Sequence, residues 1–349
     1  MTGSQSGRSG RAYIGSFTAA GGPGIVTATV DPFDSALTLL GASDATPDPS
    51  YLALGADGGL LYAVGETADG TVTAYRTDTT PVTPVGKPAP VDGDGPTHLS
   101  LWGGHVLTAN YGSGSVTALP LRADGSPDAG GRALLRHTGS GPHPQRQQGP
   151  HAHQVLPDPS GRWAVGVDLG TDSVRVCALT GGRLTVHHET ALRPGSGPRH
   201  LVFHPSAGFA YVLNELTPTL TVCQWDADAG ILKPLTEVSV LAEAPRGDAY
   251  PSEIVVSPDG RFLWTATRGE DVISTFTLDP TGEHPTLRAT TPCGGHWPRD
   301  LALAPSAHHL YAANEHSGDV TWFTLDKQTG EPTRRGSVRV QAASCVIFD

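Results

Sequence analysis

The chain has 349 residues and a formal net charge of −11, with 38% hydrophobic residues, 44 glycines and 30 prolines. This length suits one large all-β domain or two to three ordinary domains, and the Gly/Pro content indicates many turns. The negative charge argues against a nucleic-acid or anionic-membrane partner, because neither a phosphate backbone nor a lipid headgroup would attract it.

The N-terminal segment MTGSQSGRSGR is polar and leads directly into a candidate strand. It does not resemble a signal peptide, and no apolar run approaches the roughly 18 residues of a membrane span. We therefore expect a soluble, cytoplasmic protein with a disordered tail over residues 1–10 and a single domain over residues 11–349.

A pattern of short strands recurs seven times at intervals of about 50 residues. The second and third strands of the seven units begin at Tyr13, Leu61, Val106, Trp163, Ala210, Leu263 and Leu310. From the second unit onward, a first strand such as PSYLAL or PRHLVF precedes them. An outer fourth strand such as LTLLGAS follows.

The first unit lacks its own first strand, whereas SCVIFD ends the chain with no unit after it. We expect residues 343–348 to join the unit that begins with residues 12–30. Four short strands repeated at this period are typical of a propeller blade. The sequence thus predicts an all-β, seven-bladed β-propeller with four-stranded antiparallel blades, closed by strands from both termini. Two β-sandwiches would require a break in the repeat, and none is seen.

The longest irregular insert runs from Arg136 to Gly149 and is predicted to be a loop rather than a linker. Among the four cysteines there is no CxxC spacing, which disfavours zinc and thioredoxin-type sites. Cys177 and Cys223 fall at a third-strand position that is apolar in other units, so both are predicted to be buried packing residues.

Neighbouring strands of a blade are antiparallel, so first strands begin where second strands end. The residues six before each turn proline are Thr97, His153, Arg199, Ser252 and Arg299, and the residues after them are His98, Gln154, His200, Glu253 and Asp300. The second strands end at Phe17, Glu66, Tyr111, Leu169, Glu215, Arg268 and Glu315. We expect these three sets to face one funnel, where ligand-binding groups usually converge.

Some of these polar residues also fit structural roles. Arg299, Asp300 and Glu315 suit ion pairs that pin propeller strands. Asp172 and Asp271 lie in hairpin loops, where aspartate commonly accepts hydrogen bonds from backbone amides.

The funnel residues combine imidazole, carboxylate and guanidinium groups without a nucleophile or metal motif. Ser252 lacks the Gly-x-Ser-x-Gly elbow, and HExxH is absent. Arginine binds anions and stabilises an oxyanion, while histidine transfers protons. This set favours an anionic substrate with a carbonyl group, such as a lactone that is opened or formed, and no metal or cofactor is predicted.

Four segments resemble a known family: GPHAHQVLPDPSGRWAVGVDLGTDSVRV, GPRHLVFHPSAGFAYVLNEL, PSEIVVSPDGRFLWTATRGEDVI and WPRDLALAPSAHHLYAANEHSGDVTWFTLDKQTG. They are similar to the lactonase family of seven-bladed propellers, which includes propeller-type 6-phosphogluconolactonases and the fungal carboxymuconate-lactonising enzyme. The resemblance spans nearly the whole chain, but it is less specific for substrate than for family.

The resemblance implies a catalytic set of His153, Glu215 and Arg199. His153 would activate water, Glu215 would orient it or share its proton, and Arg199 would stabilise the oxyanion. The resemblance also implies a role for Arg268. The expected substrate-binding residues are Arg268, Arg299, His200, His98, Glu253 and His151, with Arg268 and Arg299 holding a phosphate. His151 leaves the identity of the base open, although the register favours His153.

The expected function is hydrolysis of 6-phosphogluconolactone or a similar sugar lactone, as in the pentose phosphate pathway, by a monomer or small homo-oligomer. Lactonisation of a muconate-like diacid by the same groups is the second interpretation. A propeller that binds a partner without catalysis is the third.

Overall fold

A computed structural model describes residues 10–349, which contain 28 strands and two three-residue 3₁₀ turns, Thr18–Ala20 and Ala129–Gly131. The tail expected over residues 1–10 lies outside the described residues except for Gly10. The strands are β1 (Arg11–Ser16), β2 (Ile25–Val30), β3 (Leu37–Ser43), β4 (Leu52–Leu54), β5 (Leu60–Gly65), β6 (Thr71–Arg76), β7 (Thr83–Pro90), β8 (Pro96–Trp102), β9 (His105–Asn110), β10 (Ser115–Pro120), β11 (Ala133–Arg136), β12 (Ala152–Pro157), β13 (Ala164–Asp168), β14 (Ser173–Thr180), β15 (Arg183–Ala191), β16 (Pro198–Phe203), β17 (Phe209–Asn214), β18 (Thr219–Asp226), β19 (Ile231–Ser239), β20 (Tyr250–Val256), β21 (Phe262–Arg268), β22 (Val272–Thr277), β23 (Thr286–Pro292), β24 (Pro298–Leu303), β25 (His309–Asn314), β26 (Asp319–Leu325), β27 (Pro332–Arg339) and β28 (Ala343–Phe348).

These strands form seven four-stranded antiparallel sheets, the blades of a propeller. Blades 2 to 7 each take four consecutive strands, from β4–β7 through β24–β27, and the first strand of each blade is the innermost. Blade 1 has the order β28-β1-β2-β3, so the last strand of the chain lies inside the first three. The predicted seven-bladed propeller with closure by both termini is confirmed.

The closure of blade 1 is an antiparallel pairing of the two ends of the chain. Ala12 lies opposite Phe348 and Ile14 opposite Val346. The backbone N–H of Asp349 donates to the carbonyl of Arg11 at 3.1 Å, so the ladder continues to the last residue. The ring of blades therefore closes through ordinary strand pairing.

The hydrophobic core is divided into seven clusters, one between each pair of neighbouring blades. Between blades 5 and 6, for example, Tyr211 and Leu213 pack with Leu263 and Phe276, and all four are fully buried. Each blade thus has apolar residues on both faces, since both faces contact another sheet. Cys177 is 2% exposed and Cys223 is fully buried, and both are unpaired, as predicted.

The inner strands share an irregularity at the position that varies between the repeats. The ladder between first and second strands shifts register between Pro96 and His98 in β8, and at the equivalent places in β12, β16 and β24. The residues skipped by these shifts are Thr97, His153, Arg199 and Arg299. In β20 the shift spans two residues, Ser252 and Glu253. Such bulges interrupt the alternation of side chains and re-aim one of them.

Within residues 10–349, no helix has the length and apolar character that crossing a bilayer requires.

Candidate active site

The candidate site lies where the inner strands begin. The segment that leads into an inner strand is held by the preceding blade. Asp172, in the β13–β14 hairpin, accepts hydrogen bonds from the backbone N–H groups of Gly195 and Gly197 at 2.7 and 2.8 Å. Gly197 directly precedes β16, which carries Arg199. Asp172 was predicted to support its own hairpin, whereas in the structure it ties that hairpin to the next blade. The segment leading to Arg199 is fixed as a result.

Asp271 has the equivalent role between blades 6 and 7. It accepts a hydrogen bond from the backbone N–H of Trp297 at 2.8 Å, just before β24 and Arg299. It also contacts its own loop through the N–H of Gly269 at 3.3 Å. The predicted hairpin contact is therefore present, but the shorter bond again fixes the approach to an arginine.

Asparagines hold the ends of the second strands. The side chain of Asn214 donates to the hydroxyls of Thr219 and Thr221 at 3.0 and 2.9 Å, which closes the hairpin across its base. Asn110 makes the equivalent contacts in blade 3. The next residues along the chain are Glu215 and Tyr111, so the buried asparagine fixes where each of them leaves the sheet.

Glu215 lies at the centre of an arginine cluster. Its carboxylate is 2.9 Å from Nη2 of Arg268, 3.1 Å from Nε of Arg199 and 2.6 Å from Nη2 of Arg146. Burial alone would raise the pKa of Glu215, but Arg268, Arg199 and Arg146 outweigh it and hold the pKa at about 2. Glu215 therefore remains a carboxylate, which does not support its expected role in sharing a proton.

Arg146 belongs to the insert between β11 and β12 and was not among the residues identified from the sequence. Its Nη2 also donates to the hydroxyl of Tyr111 at 3.1 Å. The insert is anchored on both sides of Arg146: His137 contacts Asp168 at 2.6 Å, and buried Gln147 donates to the Leu169 carbonyl at 2.8 Å. The only sequence signal was a long polar loop next to the repeat that contains His153.

His153 is buried beside this cluster. Its ring centroid is 5.6 Å from Tyr111 and 5.0 Å from His200, edge to face in both cases. Burial, reinforced by the charge of Arg199, lowers the pKa of His153 well below its ordinary value, so the imidazole is neutral at physiological pH. Among the described residues, Nδ1 of His153 has no hydrogen-bond partner.

His151 has a different environment. Its Nδ1 lies 2.9 Å from the carbonyl of Tyr111, and its ring stacks on the Tyr111 ring with centroids 4.4 Å apart. One ring nitrogen is thus engaged with the backbone, and the residue is only half-buried. The geometry favours His153 over His151 as the group that exchanges a proton with a substrate.

Arg199 presents an unused donor. Its Nε faces Glu215, but Nη1 is buried and finds no acceptor within residues 10–349. Burial, with the nearby Arg268, lowers the pKa of Arg199 to about 10, so the guanidinium is still charged at neutral pH. Buried N–H groups are almost always paired, so a charged one without a partner indicates the position of an anionic ligand atom.

Arg299 is largely neutralised by acidic neighbours. It lies 3.3 Å from Glu315 and 3.8 Å from Glu66, and its guanidinium covers the ring of Phe17 at 4.9 Å. Burial raises the pKa of Glu66, although Arg299 opposes that shift. Both the structural and the binding interpretation of Arg299 are compatible with this position.

The three sets of residues predicted to share one funnel instead form two layers. His98, His200 and Glu253 lie beneath the arginine cluster, with Nδ1 of His200 2.9 Å from the carboxylate of Glu253. His98 and His200 directly follow the bulged residues of their strands, and Glu253 is the second residue of the bulge in β20. All three therefore lie further along the inner strands and away from the mouth. Their predicted contact with substrate is therefore not supported by the geometry.

The upper layer carries a positive balance in a negatively charged protein. Four guanidinium groups, from Arg146, Arg199, Arg268 and Arg299, meet three carboxylates, from Glu66, Glu215 and Glu315. One uncompensated positive charge remains when all seven groups are ionised. The site is therefore suited to an anion.

Two other chemistries lack the groups they need. Within the part of the chain that the structure describes, no group of three or more His, Cys, Asp or Glu side chains has a metal-binding arrangement. Ser252 Oγ donates to the Pro298 carbonyl at 2.6 Å and serves as a link between blades 6 and 7. Proton transfer and charge stabilisation are the chemistry that the upper layer can perform.

The chain is similar to known proteins over most of its length. A family model described as Lactonase, 7-bladed beta-propeller matches residues 11–348. The 6-phosphogluconolactonase of Bacillus subtilis (strain 168) is 35% identical over 270 residues, covering 76% of this chain and 76% of the relative. A 6-phosphogluconolactonase of Pectobacterium carotovorum is 30% identical over 256 residues, covering 72% and 73%.

Among solved structures, the periplasmic gluconolactonase of Pseudomonas aeruginosa superposes with a TM-score of 0.90 and 29% identity. The superposition covers 98% of this chain and 99% of that one. With its seven closed blades and the family match over residues 11–348, the chain belongs to the lactonase family of seven-bladed β-propellers.

Proposed function

We propose that this protein hydrolyses a sugar lactone and that 6-phosphogluconolactone is its substrate. One observation carries the proposal. Neutral His153 and the unpartnered Nη1 donor of Arg199 occur together, beside an arginine cluster of net positive charge. Lactone hydrolysis needs a base for water, a donor for the oxyanion and, for this substrate, a phosphate site.

In the proposed reaction, His153 accepts a proton from a water molecule whose oxygen attacks the lactone carbonyl carbon. Arg199 donates to the resulting oxyanion through Nη1. The acyl C–O bond then breaks, and His153 returns the proton to the ring oxygen that leaves. The product is a hydroxy acid, which loses a proton at neutral pH. Glu215 keeps Arg199, Arg268 and Arg146 in place throughout.

The phosphate would bind to Arg268 and Arg146, whose guanidinium groups both contact Glu215. Arg146 retains 35% of its side-chain exposure, so it can exchange its contact with Glu215 for one with a ligand. Arg299, paired with Glu66 and Glu315, contributes positive charge rather than a free donor. The names of the two bacterial relatives support a phosphorylated lactone.

An unphosphorylated lactone is the second candidate, because the structurally similar Pseudomonas protein is named a gluconolactonase. The two substrates differ only in the charge that the arginines would bind. If the arginine cluster serves phosphate, 6-phosphogluconolactone should have the larger kcat/KM. This difference can be measured with both lactones under identical conditions.

The deciding experiment follows ring opening of 6-phosphogluconolactone and glucono-δ-lactone by the purified protein above the spontaneous rate. His153→Asn is the control variant, and the assay is run with and without a chelator. Turnover that this variant lacks supports the proposal. Rates equal to the spontaneous rate for both lactones would contradict the proposed hydrolysis. An absorbance change with a muconate would favour cyclisation instead.

A cytoplasmic location belongs to the same proposal. All four cysteines, Cys177, Cys223, Cys293 and Cys345, are buried and unpaired, which suits a reducing compartment. Immunodetection after separating periplasmic from cytoplasmic fractions tests it, and recovery in the periplasm would contradict it.

A further inference from the structure

The central channel continues below the arginine cluster and opens on the opposite face of the propeller. A cavity of about 540 Å³ lies there, lined by later residues of the inner strands, which run away from the Glu215 face. Its polar lining includes Tyr51, His98, Gln154, Glu253 and Asp300. The lower layer of the site is therefore the floor of the candidate active site and also the end of a second, separate opening.

Two carboxyl groups of this floor lie in the same cavity. The side chains of Glu253, in blade 6, and Asp300, in blade 7, both line it and are 5% and 6% exposed. Two buried carboxylates at one site repel each other when both are ionised, so we expect the pair to hold a proton. Backbone N–H groups of Ile254 and Val346 each donate to one member at 2.8 Å and fix the pair in place.

His200 connects this pair to His153. Nδ1 of His200 lies 2.9 Å from both oxygens of Glu253, so it is the protonated nitrogen and donates to the carboxylate. Nε2 of His200 then carries a lone pair. Neither this atom nor Nδ1 of His153 has a hydrogen-bond partner among the described residues. The ring centroids of the two histidines are 5.0 Å apart. The series of proton-carrying groups from His153 to the second opening thus has one gap, between two buried ring nitrogens, which a bridging water molecule would close.

Ring opening creates a need for such a series. Each lactone hydrolysed at neutral pH yields a carboxylate and one proton, which must leave the site. The mouth holds Arg146, Arg199, Arg268 and Arg299, whose positive charge opposes the departure of a proton on that side. The carboxyl pair on the other side attracts it.

We propose that His200, Glu253 and Asp300 form a relay that carries the proton released by catalysis from His153 to the cavity on the opposite face. The relay rests on the proposed lactone hydrolysis. Only protons move: the carboxylic acid formed by ring opening gives its proton to His153, and Nε2 of His200 accepts one from His153. The Nδ1 proton of His200 passes to Glu253. The pair then holds two protons and releases one to solvent in the cavity, and rotation of the His200 ring restores its first tautomer.

The charges around the pair set the pH at which the relay works. Burial raises the pKa of Glu253, partly opposed by Arg199, and burial together with Glu253 raises the pKa of Asp300 well above its ordinary value. The other titratable groups facing the pair are Tyr51, His98, His200 and Cys345. As the pH falls, the pair takes up its second proton above the ordinary carboxyl range and can then accept no other. The relay therefore predicts an acid limb, in which kcat falls with falling pH, above the pH range of ordinary carboxyl groups.

Glu253→Gln tests the relay with little change of shape. The amide still accepts a hydrogen bond from His200, but it cannot carry the proton. We expect kcat to fall about tenfold with KM within about twofold, and this acid limb to disappear. Added imidazole at fixed pH and ionic strength should restore kcat. Glu331→Gln, an exposed substitution of the same kind, should leave all of these unchanged.

The outcomes separate the relay from the proposed function. If the wild-type protein opens lactones and Glu253→Gln has the same kcat and pH profile, the relay is overturned and the hydrolysis stands. A loss of kcat that imidazole does not restore would indicate a structural role and also overturn the relay. If the wild-type protein opens no lactone, both the relay and the proposed hydrolysis are contradicted. Thermal unfolding of each variant, and Asp300→Asn as a second substitution, check that the fold is retained.

Discussion

At the scale of single residues, the site depends on one imidazole kept neutral by its surroundings. His153 is buried and lies near Arg199, and both effects lower its pKa, so it can accept a proton at physiological pH. The same field makes it a weak base until an anion enters. Substrate binding and base strength are therefore coupled through the arginines.

Replacement of His153 by Asn is expected to lower kcat by roughly 10²–10⁴-fold, because general base catalysis typically contributes that much. His151→Asn is the matched control, since His151 stacks on Tyr111 and is already engaged with its carbonyl. It should lower kcat less than tenfold. Steady-state kinetics on the same lactone decide the matter, and equal losses in both variants would contradict the choice of base.

Inorganic phosphate is expected to raise the pKa of His153 toward its ordinary value. The anion offsets the positive field of Arg199 and Arg268, which favours the imidazolium form. The histidine ring signals can be titrated by NMR with and without phosphate, and the His153 signal can be assigned with the Asn variant. A pKa that stays unchanged or falls at saturating phosphate would show that the arginines do not bind the anion.

At the scale of strands and loops, the repeat made much of the structure predictable. Blade boundaries, the outer strands and the closure by residues 343–348 all follow from a pattern that recurs seven times. The position of His153 and Arg199 followed too, because a bulge occurs at the same place in their strands. The division of the site into two layers could not be predicted from the repeat. A bulge breaks the alternation of side chains from which residues on one face are inferred.

Arg146 could not be predicted for a related reason. It lies in the one long insert, which has no counterpart in other blades, so no repeat indicated where its side chain would go. Its position depends on tertiary contacts, namely the His137–Asp168 pair and the burial of Gln147. Residues of this kind become visible only when the fold is known.

The loop residue Arg146 is expected to act in binding rather than in chemistry. Arg146→Gln should lower kcat/KM for a phosphorylated lactone by about 10–100-fold, mainly through KM, because a hydrogen bond to a charged group contributes about 1.5–3 kcal/mol. For an unphosphorylated lactone the loss should be much smaller. Arg136→Gln, exposed at the start of the same insert, is the control. A loss confined to kcat, or equal for both lactones, would assign Arg146 another role.

At the scale of the whole molecule, stability is distributed around a ring. Seven apolar clusters each join two neighbouring blades, so every blade depends on both of its neighbours. Blade 1 is complete only when β28 pairs with β1, and residues of β28 belong to the clusters on both sides of this blade. Loss of β28 should therefore weaken the contacts of blade 1 with both of its neighbours.

Removal of residues 343–349 is expected to abolish cooperative unfolding, because it exposes the edge of β1 and the clusters on both sides of blade 1. The control keeps every strand: a circular permutant joins residue 349 to residue 10 by a short linker and begins at Gly182, in the exposed turn after β14. It should unfold cooperatively and remain active. Urea unfolding followed by fluorescence compares them, and a truncated protein that unfolds like the full chain would refute the expectation.

The position of β28 also affects the order of events during synthesis. A ribosome makes the N-terminal end first, so β1 waits with an unpaired edge until the last six strand residues emerge from the exit tunnel. Val346, whose backbone N–H holds Asp300, arrives with them. The floor of the site is thus completed only after β28 has left the ribosome, and a nascent chain that stops before β28 should hold six formed blades but no finished pocket.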